Sequence, residues 1–195
     1  MQHLTERDYS ARDLYIALEN EAQKAVDYID EVINDYNGTA HENEYFRDVI
    51  LFDDVDFPVE PRNGLRISTR GRRGIYVFIV KTDFSLTRQE VAQYNKCAGA
   101  GFSKKYGAKE LKMGDHFYQG SACNSLLVRF HQHYSIDCQA SAMKLNNPNR
   151  LMVKDKLKLY IFPMVPGLEF RHFFIEMIEE ILHKRFPPIT GGTRV

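Results

Sequence analysis

Residues 74–80 read GIYVFIV, an unbroken run of β-branched and aromatic side chains behind a single glycine. A short run of this kind predicts a buried strand. Further along the chain, the pattern predicts a short strand at residues 116–118, a strand at 157–162 and a strongly apolar helix at about 169–185. Strands that alternate with helices in this order predict an α+β fold whose central sheet is covered by helices.

Two helices and a turn complete the second half of the pattern. A helix is expected to start near Ser85, and another spans about residues 124–134, where Leu126, Phe130 and Tyr134 form a ridge that would pack on the sheet. Gly120-Ser121 predicts a turn between the strand at residues 116–118 and that second helix.

The first part of the chain has a helical period. Between residues 9 and 36 apolar side chains recur every three or four positions, which predicts one long amphipathic helix or a bent pair that ends at Asn37-Gly38. Pro58, Pro61 and Gly64 then mark a connection. The prediction is an acidic helical region at residues 1–60 and a second unit at 61–195, with an insertion at about 81–115.

Charge is segregated along the chain although the total is zero. Residues 1–60 carry 16 acidic and four basic side chains, a net charge of −12, whereas residues 61–195 carry 22 basic and 10 acidic ones, a net charge of +12. A basic unit suits a phosphate-backbone partner, because displacing condensed counterions favours binding. Charges that simply face solvent are the competing interpretation.

Composition excludes several classes of protein. No apolar run approaches the roughly 20 residues of a membrane span, and the polar start lacks the order of a signal peptide, so we expect a soluble, cytoplasmic protein with no membrane partner. Three widely spaced cysteines argue against a disulfide framework. The spacing of Cys123, His131, His133 and Cys138 matches no familiar zinc-ligand pattern.

Two tripeptides and one helix carry a family resemblance. Gly74-Ile75-Tyr76 and Tyr118-Gln119-Gly120 are followed by Arg129, eleven residues after Tyr118, and by His133 four residues later. Together they resemble the signature of the GIY-YIG nucleases. The resemblance covers roughly the last 120 residues and implies an α+β domain with a small antiparallel sheet of about three strands, flanked by helices.

The last helix carries the acidic element of the same family pattern. Glu179 is followed by Leu182 at +3 and Pro188 at +9, as in the family, but Gly191 stands where the family has asparagine. The side-chain amide of that asparagine is therefore missing here. Glu176 and Glu180 are competing acids, and Glu179 is preferred on spacing.

These residue types suit phosphodiester hydrolysis. The resemblance implies that Glu179 holds Mg²⁺ or Mn²⁺ and that Arg129 binds the phosphate. Tyr76, Tyr118 and His133 would orient a water molecule and take its proton, and either Tyr76 or His133 is the base. Arg72 and Arg73, together with the lysines of the insertion, are candidate DNA contacts: Lys104, Lys105, Lys109 and Lys112.

The insertion separates Tyr76 from Tyr118 by 41 residues, which favours a restriction-type member over the small repair and homing enzymes. The leading expectation is therefore a Mg²⁺-dependent DNA endonuclease, acting as a homodimer if it cuts both strands. A catalytically inactive module that binds DNA or a protein partner is the alternative. An RNase stays open as well, because nothing in the sequence distinguishes a 2′-hydroxyl.

Overall fold

The computed structural model describes residues 10–35, 43–52, 71–96, 114–134, 143–147, 150–168 and 171–188. Within these residues the protein is α+β, with one antiparallel sheet between helical layers. The strands are β1 (Ile50–Phe52), β2 (Gly74–Val80), β3 (His116–Ala122) and β4 (Leu157–Pro163). The helices are α1 (Ala11–Asn34), α2 (Arg88–Lys96), α3 (Leu126–Tyr134), the single turn α4 (Leu151–Lys154) and α5 (Arg171–Arg185).

The sheet has the order β1-β4-β2-β3, and every neighbouring pair is antiparallel. The expected number of about three strands is therefore wrong, because the described sheet has four. The extra strand is β1, which pairs with β4 through Ile50↔Ile161 and Phe52↔Leu159. Only three residues long, β1 offers too little periodicity to be identified from sequence.

Strand β2 lies inside the described sheet, between β4 and β3. All seven of its residues are buried, which confirms the buried strand predicted from GIYVFIV. Its alternating side chains belong to two cores, because successive side chains of a strand point to opposite faces. Tyr76 and Phe78 join α3 in one core, while Ile75 and Val77 join α1 and α5 in the other.

The predicted turn at Gly120-Ser121 is wrong. Strand β3 runs on through both residues to Ala122, with Gly120 opposite Tyr76 and Ser121 opposite Ile75. The glycine that suggested a turn is instead required by a close approach within the sheet, since a β-carbon on Gly120 would lie 2.6 Å from Cζ of Tyr76.

The amphipathic helix predicted at the start of the chain is confirmed as one continuous helix, α1. Ser10 and Asp13 form a capping box at its first turn. Its inner face is buried against the sheet and α5, and Arg185 of α5 forms ion pairs with Asp27 and, at 3.2 Å, Asp30. The predicted helix end at Asn37-Gly38 lies outside the described residues.

Residues 53–70, which surround the predicted domain boundary, also lie outside the described part, so the boundary near residue 61 stays a prediction. The described segments before residue 53 pack on the described segments that follow residue 70. Helix α1 shares a hydrophobic core with β2, β4 and α5, and β1 is hydrogen-bonded to β4.

The remaining helices lie close to their predicted places. Helix α2 begins at Arg88, where Thr87 and Glu90 cap its first turn reciprocally. The predicted ridge of α3 is confirmed, since Leu126, Phe130 and Tyr134 are all buried against the sheet. Among the helices described, none combines the length and the apolar character that crossing a bilayer would demand.

Candidate active site

Two phenols meet on one face of the sheet. Tyr76 of β2 lies opposite Gly120 of β3, and Tyr118 is two residues away on the same face. Their rings stack with centroids 6.2 Å apart and an interplanar angle of 19°. The antiparallel pairing of β2 and β3 thus brings together the two tyrosines of the signature tripeptides.

The glycines of both tripeptides are explained by packing. Gly120 leaves room for the Tyr76 ring, which crosses the backbone of β3 at that position. Gly74 lets β4 approach, because a β-carbon there would lie 3.0 Å from Cα of Pro163 and closer still to the carbonyl of Phe162. Any larger residue at either position would displace a neighbouring strand or the Tyr76 ring.

Helix α3 brings a cation and an imidazole to the phenols. Its first turn is anchored by the N–H of Leu126, which donates to the carbonyl of Arg72 at 2.9 Å. Arg129 and His133 are one turn apart, so they share a face of the helix and reach the same place. The i, i+4 spacing seen in the sequence therefore has the expected geometric result.

Arg129 connects both phenols. Its Nε–H donates to the Tyr76 hydroxyl at 3.1 Å, and an Nη2–H donates to the Tyr118 hydroxyl at the long distance of 3.4 Å. An Nη1–H donates to Oε1 of Gln132 at 2.9 Å. Arg129 as a whole is partly exposed.

His133 is fully buried and both of its ring nitrogens are used. Nδ1 accepts a hydrogen bond of 3.0 Å from the backbone N–H of Met143, and Nε2 lies 2.7 Å from the Tyr76 hydroxyl. Since Nδ1 accepts, the proton of a neutral imidazole is on Nε2 and is donated to Tyr76. The Tyr76 oxygen thus accepts hydrogen bonds from both Arg129 and His133.

Burial dominates the electrostatics of this cluster. Burial raises the pKa of Tyr76 well above its usual value, against a lowering by Arg129, and it likewise raises the pKa of Tyr118. Burial, with the charge of Arg129, holds the pKa of His133 well below its usual range. Burial would lower the pKa of Arg129, but the two phenol oxygens raise it by more. The resting cluster is therefore two neutral phenols, a neutral imidazole and one guanidinium cation.

Glu179 lies on the other side of the sheet from this cluster. It lies on α5, where its Oε2 accepts a short hydrogen bond from the hydroxyl of Ser121 on β3. Burial is the largest cause that raises the pKa of each phenol, and the charge of Glu179 is a smaller cause in the same direction. In the described sheet β3 is the outermost strand beside β2, and the carboxylate approaches it from one layer while Arg129 lies on the other.

Each of the competing acids on α5 contacts a side chain one turn away. Glu180 pairs with Lys184 at 2.7 Å on an exposed face, and Glu176 lies 3.6 Å from His172. Leu182 and Pro188, which accompany Glu179 in the family pattern, are both buried. Gly191 lies outside the described residues.

The expected DNA contacts are described only in part. Arg72 pairs with Asp48 at 2.5 Å and also donates to the carbonyl of Arg47 at 3.1 Å, so its guanidinium holds the β1 segment. Arg73 is partly exposed just before β2. The four lysines of the insertion lie outside the described residues: Lys104, Lys105, Lys109 and Lys112.

Four residues that sequence reasoning missed complete the site. Ser121 orients Glu179, and Gln132 accepts from Arg129. Met143 fixes the tautomer of His133, and its carbonyl accepts a short hydrogen bond from the buried Arg150.

The sequence held a signal for Ser121, because extending the strand past Gly120 would have turned its side chain toward the opposite layer. Met143 had none, since a backbone N–H is common to nearly every residue type.

Glu179 offers the kind of oxygen ligand that a hard divalent cation prefers. Mg²⁺ takes oxygen ligands and is commonly held by one or two carboxylates plus water and substrate phosphate. Glu179, partly buried and held by Ser121, supplies one such carboxylate. Compared with protein-family models, curated proteins and solved structures, the chain has no significant match.

Proposed function

We propose that this protein is a nuclease of the GIY-YIG type, which hydrolyses phosphodiester bonds in DNA with a divalent cation, and that it acts as a restriction-type endonuclease. One observation carries the proposal: the Tyr76 hydroxyl accepts hydrogen bonds from both Arg129 and His133, next to Tyr118. The sequence resemblance to the GIY-YIG signature singled out the residues of the two tripeptides and of α3 for this chemistry. Their convergence supports the resemblance.

Arg129 is the residue that would bind the scissile phosphate. Its contacts with Tyr76, Tyr118 and Gln132 hold the guanidinium plane in place and leave further N–H groups of the two Nη atoms for phosphate oxygens. A fixed guanidinium can stabilise the negative charge that develops on phosphorus, and it needs little reorganisation as the reaction proceeds.

Tyr76 is the better placed of the two candidate bases. A phenolate at this position would accept hydrogen bonds from the Arg129 cation and from the Nε2–H of His133, and both interactions favour the charged form. His133 has both nitrogens engaged, so its part is to position Tyr76 and support its charge. Burial opposes ionisation of Tyr76, which means that the phenol needs an additional positive charge nearby to act as a base.

Glu179 is the residue that would hold the cation, with Ser121 fixing one carboxylate oxygen. A bound Mg²⁺ or Mn²⁺ would supply that additional positive charge and polarise the phosphate. The chain itself supplies a carboxylate on one layer, a guanidinium on the other, and the edge of β3 between them.

A second copy of the chain would be needed to cut both strands at one site, so we propose a homodimer. The N-terminal half of α1 carries apolar side chains that are 44 to 49% exposed, Leu14, Tyr15 and Ile16, and Phe173 of α5 contacts Tyr15 beside them. This exposed patch supports α1 as the dimer contact. Light scattering across a concentration series, with Tyr15→Glu as the variant, tests the arrangement.

The decisive experiment is cleavage of supercoiled plasmid and long linear DNA with Mg²⁺, against a chelator control. Glu179→Gln and Arg129→Ala should each remove cleavage, whereas Glu180→Gln, an exposed acid one residue further on, should not. Discrete bands would support a restriction-type enzyme, and smearing or nicking would keep the hydrolysis but remove the restriction assignment. A parallel single-stranded RNA substrate identifies an RNase.

The alternative function is a DNA-binding or partner-binding module without catalysis, which the glycine at position 191 favours. Intact DNA under all metal conditions, with a gel shift that weakens as salt rises, would establish that function and overturn the nuclease proposal.

A further inference from the structure

A second cluster of metal-ligating side chains lies beside the candidate active site. Cys123 follows the last residue of β3, and His172 and Glu176 are one turn apart in the first half of α5. Their ligand atoms, one sulfur, one imidazole nitrogen and one carboxylate oxygen, all lie within 4.8 Å of one another. None of the three has a role in the proposed hydrolysis.

The chemistry of these ligands differs from that of Glu179. Thiolate and imidazole are ligands for zinc and related transition metals, which they bind in tetrahedral geometry, whereas Mg²⁺ prefers oxygen. In a tetrahedral Zn²⁺ site, the atoms of two ligands bound to the same ion lie about 3.4 to 3.6 Å apart. His172 Nε2 and Glu176 Oε1 already lie 3.6 Å apart.

The surroundings allow a cation to enter and the ligands to close on it. The side chains of His172 and Glu176 are 61% and 41% exposed, so both can change rotamer without disturbing the core. Cys123 is partly buried against the core that α5 shares with the sheet, which fixes the backbone that carries the thiol. A movement of roughly 1 Å would bring the three atoms to bonding separations.

We propose that Cys123, His172 and Glu176 form a binding site for a zinc-type transition metal, with a fourth position open to water. The site is separate from Glu179 but close to it, because Ser121 donates to Glu179 and lies 3.9 Å from the sulfur of Cys123. A metal bound there ties the first half of α5 to the end of β3, and thereby holds the helix that carries Glu179.

The test is titration of the full chain with Co²⁺, whose visible absorption reports tetrahedral coordination and whose thiolate charge-transfer band reports a cysteine ligand. We expect one equivalent bound per chain, with both signals, and displacement by Zn²⁺. Cys123→Ser should abolish the charge-transfer band. Mutating a residue that only hydrogen-bonds to a metal ligand commonly weakens metal binding about ten-fold or more. His172→Ala and Glu176→Gln remove a proposed ligand itself, so each should weaken Co²⁺ binding by at least about ten-fold.

Four controls separate this site from the rest of the protein. His131→Ala removes an exposed histidine on α3, and Glu179→Gln removes the proposed Mg²⁺ ligand; both should leave the Co²⁺ spectrum unchanged. Cys97→Ser and Cys138→Ser should also keep the charge-transfer band. His172 is exposed on its helix, so the His172→Ala result stands even if Cys123→Ser fails to fold.

Absence of stoichiometric binding would overturn the proposal, as would unchanged binding in both Cys123→Ser and His172→Ala. The readout is spectroscopic and needs no cleavage, so its outcome is independent of the proposed nuclease function.

Discussion

The Nε–H of Arg129 donates a 3.1 Å hydrogen bond to the hydroxyl of Tyr76, across 53 residues of sequence. The same oxygen lies 2.7 Å from Nε2 of His133. Tyr76 is fully buried, so in the absence of these donors its oxygen would be an unsatisfied polar atom in the core. The arrangement supplies two donors to an oxygen that must carry negative charge if it is to take a proton.

Tyr76→Phe removes that shared oxygen. We expect cleavage to fall roughly 100-fold or more, because a positioned proton acceptor contributes at least that much. The buried Nε2–H of His133 also loses its acceptor, at a cost of about 1–3 kcal/mol in the free energy of unfolding. Single-turnover cleavage and urea unfolding measure the two effects. Full activity in a folded Tyr76→Phe protein would exclude Tyr76 as the base.

Arg129→Lys keeps the positive charge but loses the planar set of guanidinium donors. A lysine ammonium cannot donate to both phenols and to Gln132 in one plane, so we expect cleavage to fall about 100-fold or more while DNA binding weakens only modestly. Arg185→Lys is the matched control, because Arg185 also makes two side-chain contacts, with Asp27 and Asp30 on α1. It should change stability and leave cleavage unaffected. Equal losses in the two variants would mean that Arg129 acts on the fold alone.

Gly120→Ala and Gly74→Ala separate damage to the site from damage to the sheet. A β-carbon at Gly120 would meet the Tyr76 phenol, which must move and lose its donors, so cleavage should fall more steeply than stability. A β-carbon at Gly74 would meet the backbone of β4, so stability should fall first. Cleavage and unfolding curves for both variants check this, and the same ratio of the two losses in both would contradict it.

Acid should destabilise the fold through His116. Burial lowers its pKa to about 4, so between about pH 6.5 and 4 the unfolded chain binds a proton that the folded chain does not. Stability contributed by the neutral side chain is therefore complete above about pH 6.5 and decreases as pH falls through that window. Between about pH 7.5 and pH 5 the free energy of unfolding should drop by about 2 kcal/mol from this residue.

His116→Asn should flatten that dependence, because an amide oxygen can accept the hydrogen bond from Gln119 and does not titrate. Urea unfolding at several pH values measures the slope in the wild type and the variant, with His131→Asn as the exposed control. An unchanged slope in His116→Asn would assign the acid sensitivity to other groups, of which the buried His133 is the first to examine.

Arg150 is expected to position His133 from a distance. It is fully buried, lies 4.4 Å over the ring of Tyr94 and donates to the carbonyl of Met143, whose N–H holds Nδ1 of His133. Arg150→Met should lower cleavage about ten-fold, and the ¹⁵N shifts of His133 should show loss of the single tautomer. Arg150→Lys retains a donor and should restore part of both. A purely structural role would change stability and leave the His133 tautomer fixed.

Much of the fold follows from local pattern. GIYVFIV predicts a fully buried strand, and the i, i+4 spacing on α3 predicts that Arg129 and His133 share a face. Both predictions depend only on residues that are close together in the sequence. The helical period of the N-terminal segment likewise predicts α1, although not the surface that it covers. The residues of the proposed site were named from the sequence through the family resemblance, as a set of residue types at defined spacing.

The remaining features depended on contacts between distant segments. The turn predicted at Gly120 was wrong because glycine there accommodates Tyr76 from another strand, and β1 was missed because three residues carry no period of their own. Nothing near His133 in sequence reveals that Met143 fixes its tautomer.

The sequence by itself determined which side chains are candidates for the proposed chemistry, through the resemblance that they carry, and which elements they lie on, since helical and strand periods are local properties. Only the tertiary structure decided which of them meet. Tyr76 reaches His133 across 57 residues and Ser121 reaches Glu179 across 58, and such pairs form only when the strands have their register and the helices are packed on both faces of the sheet.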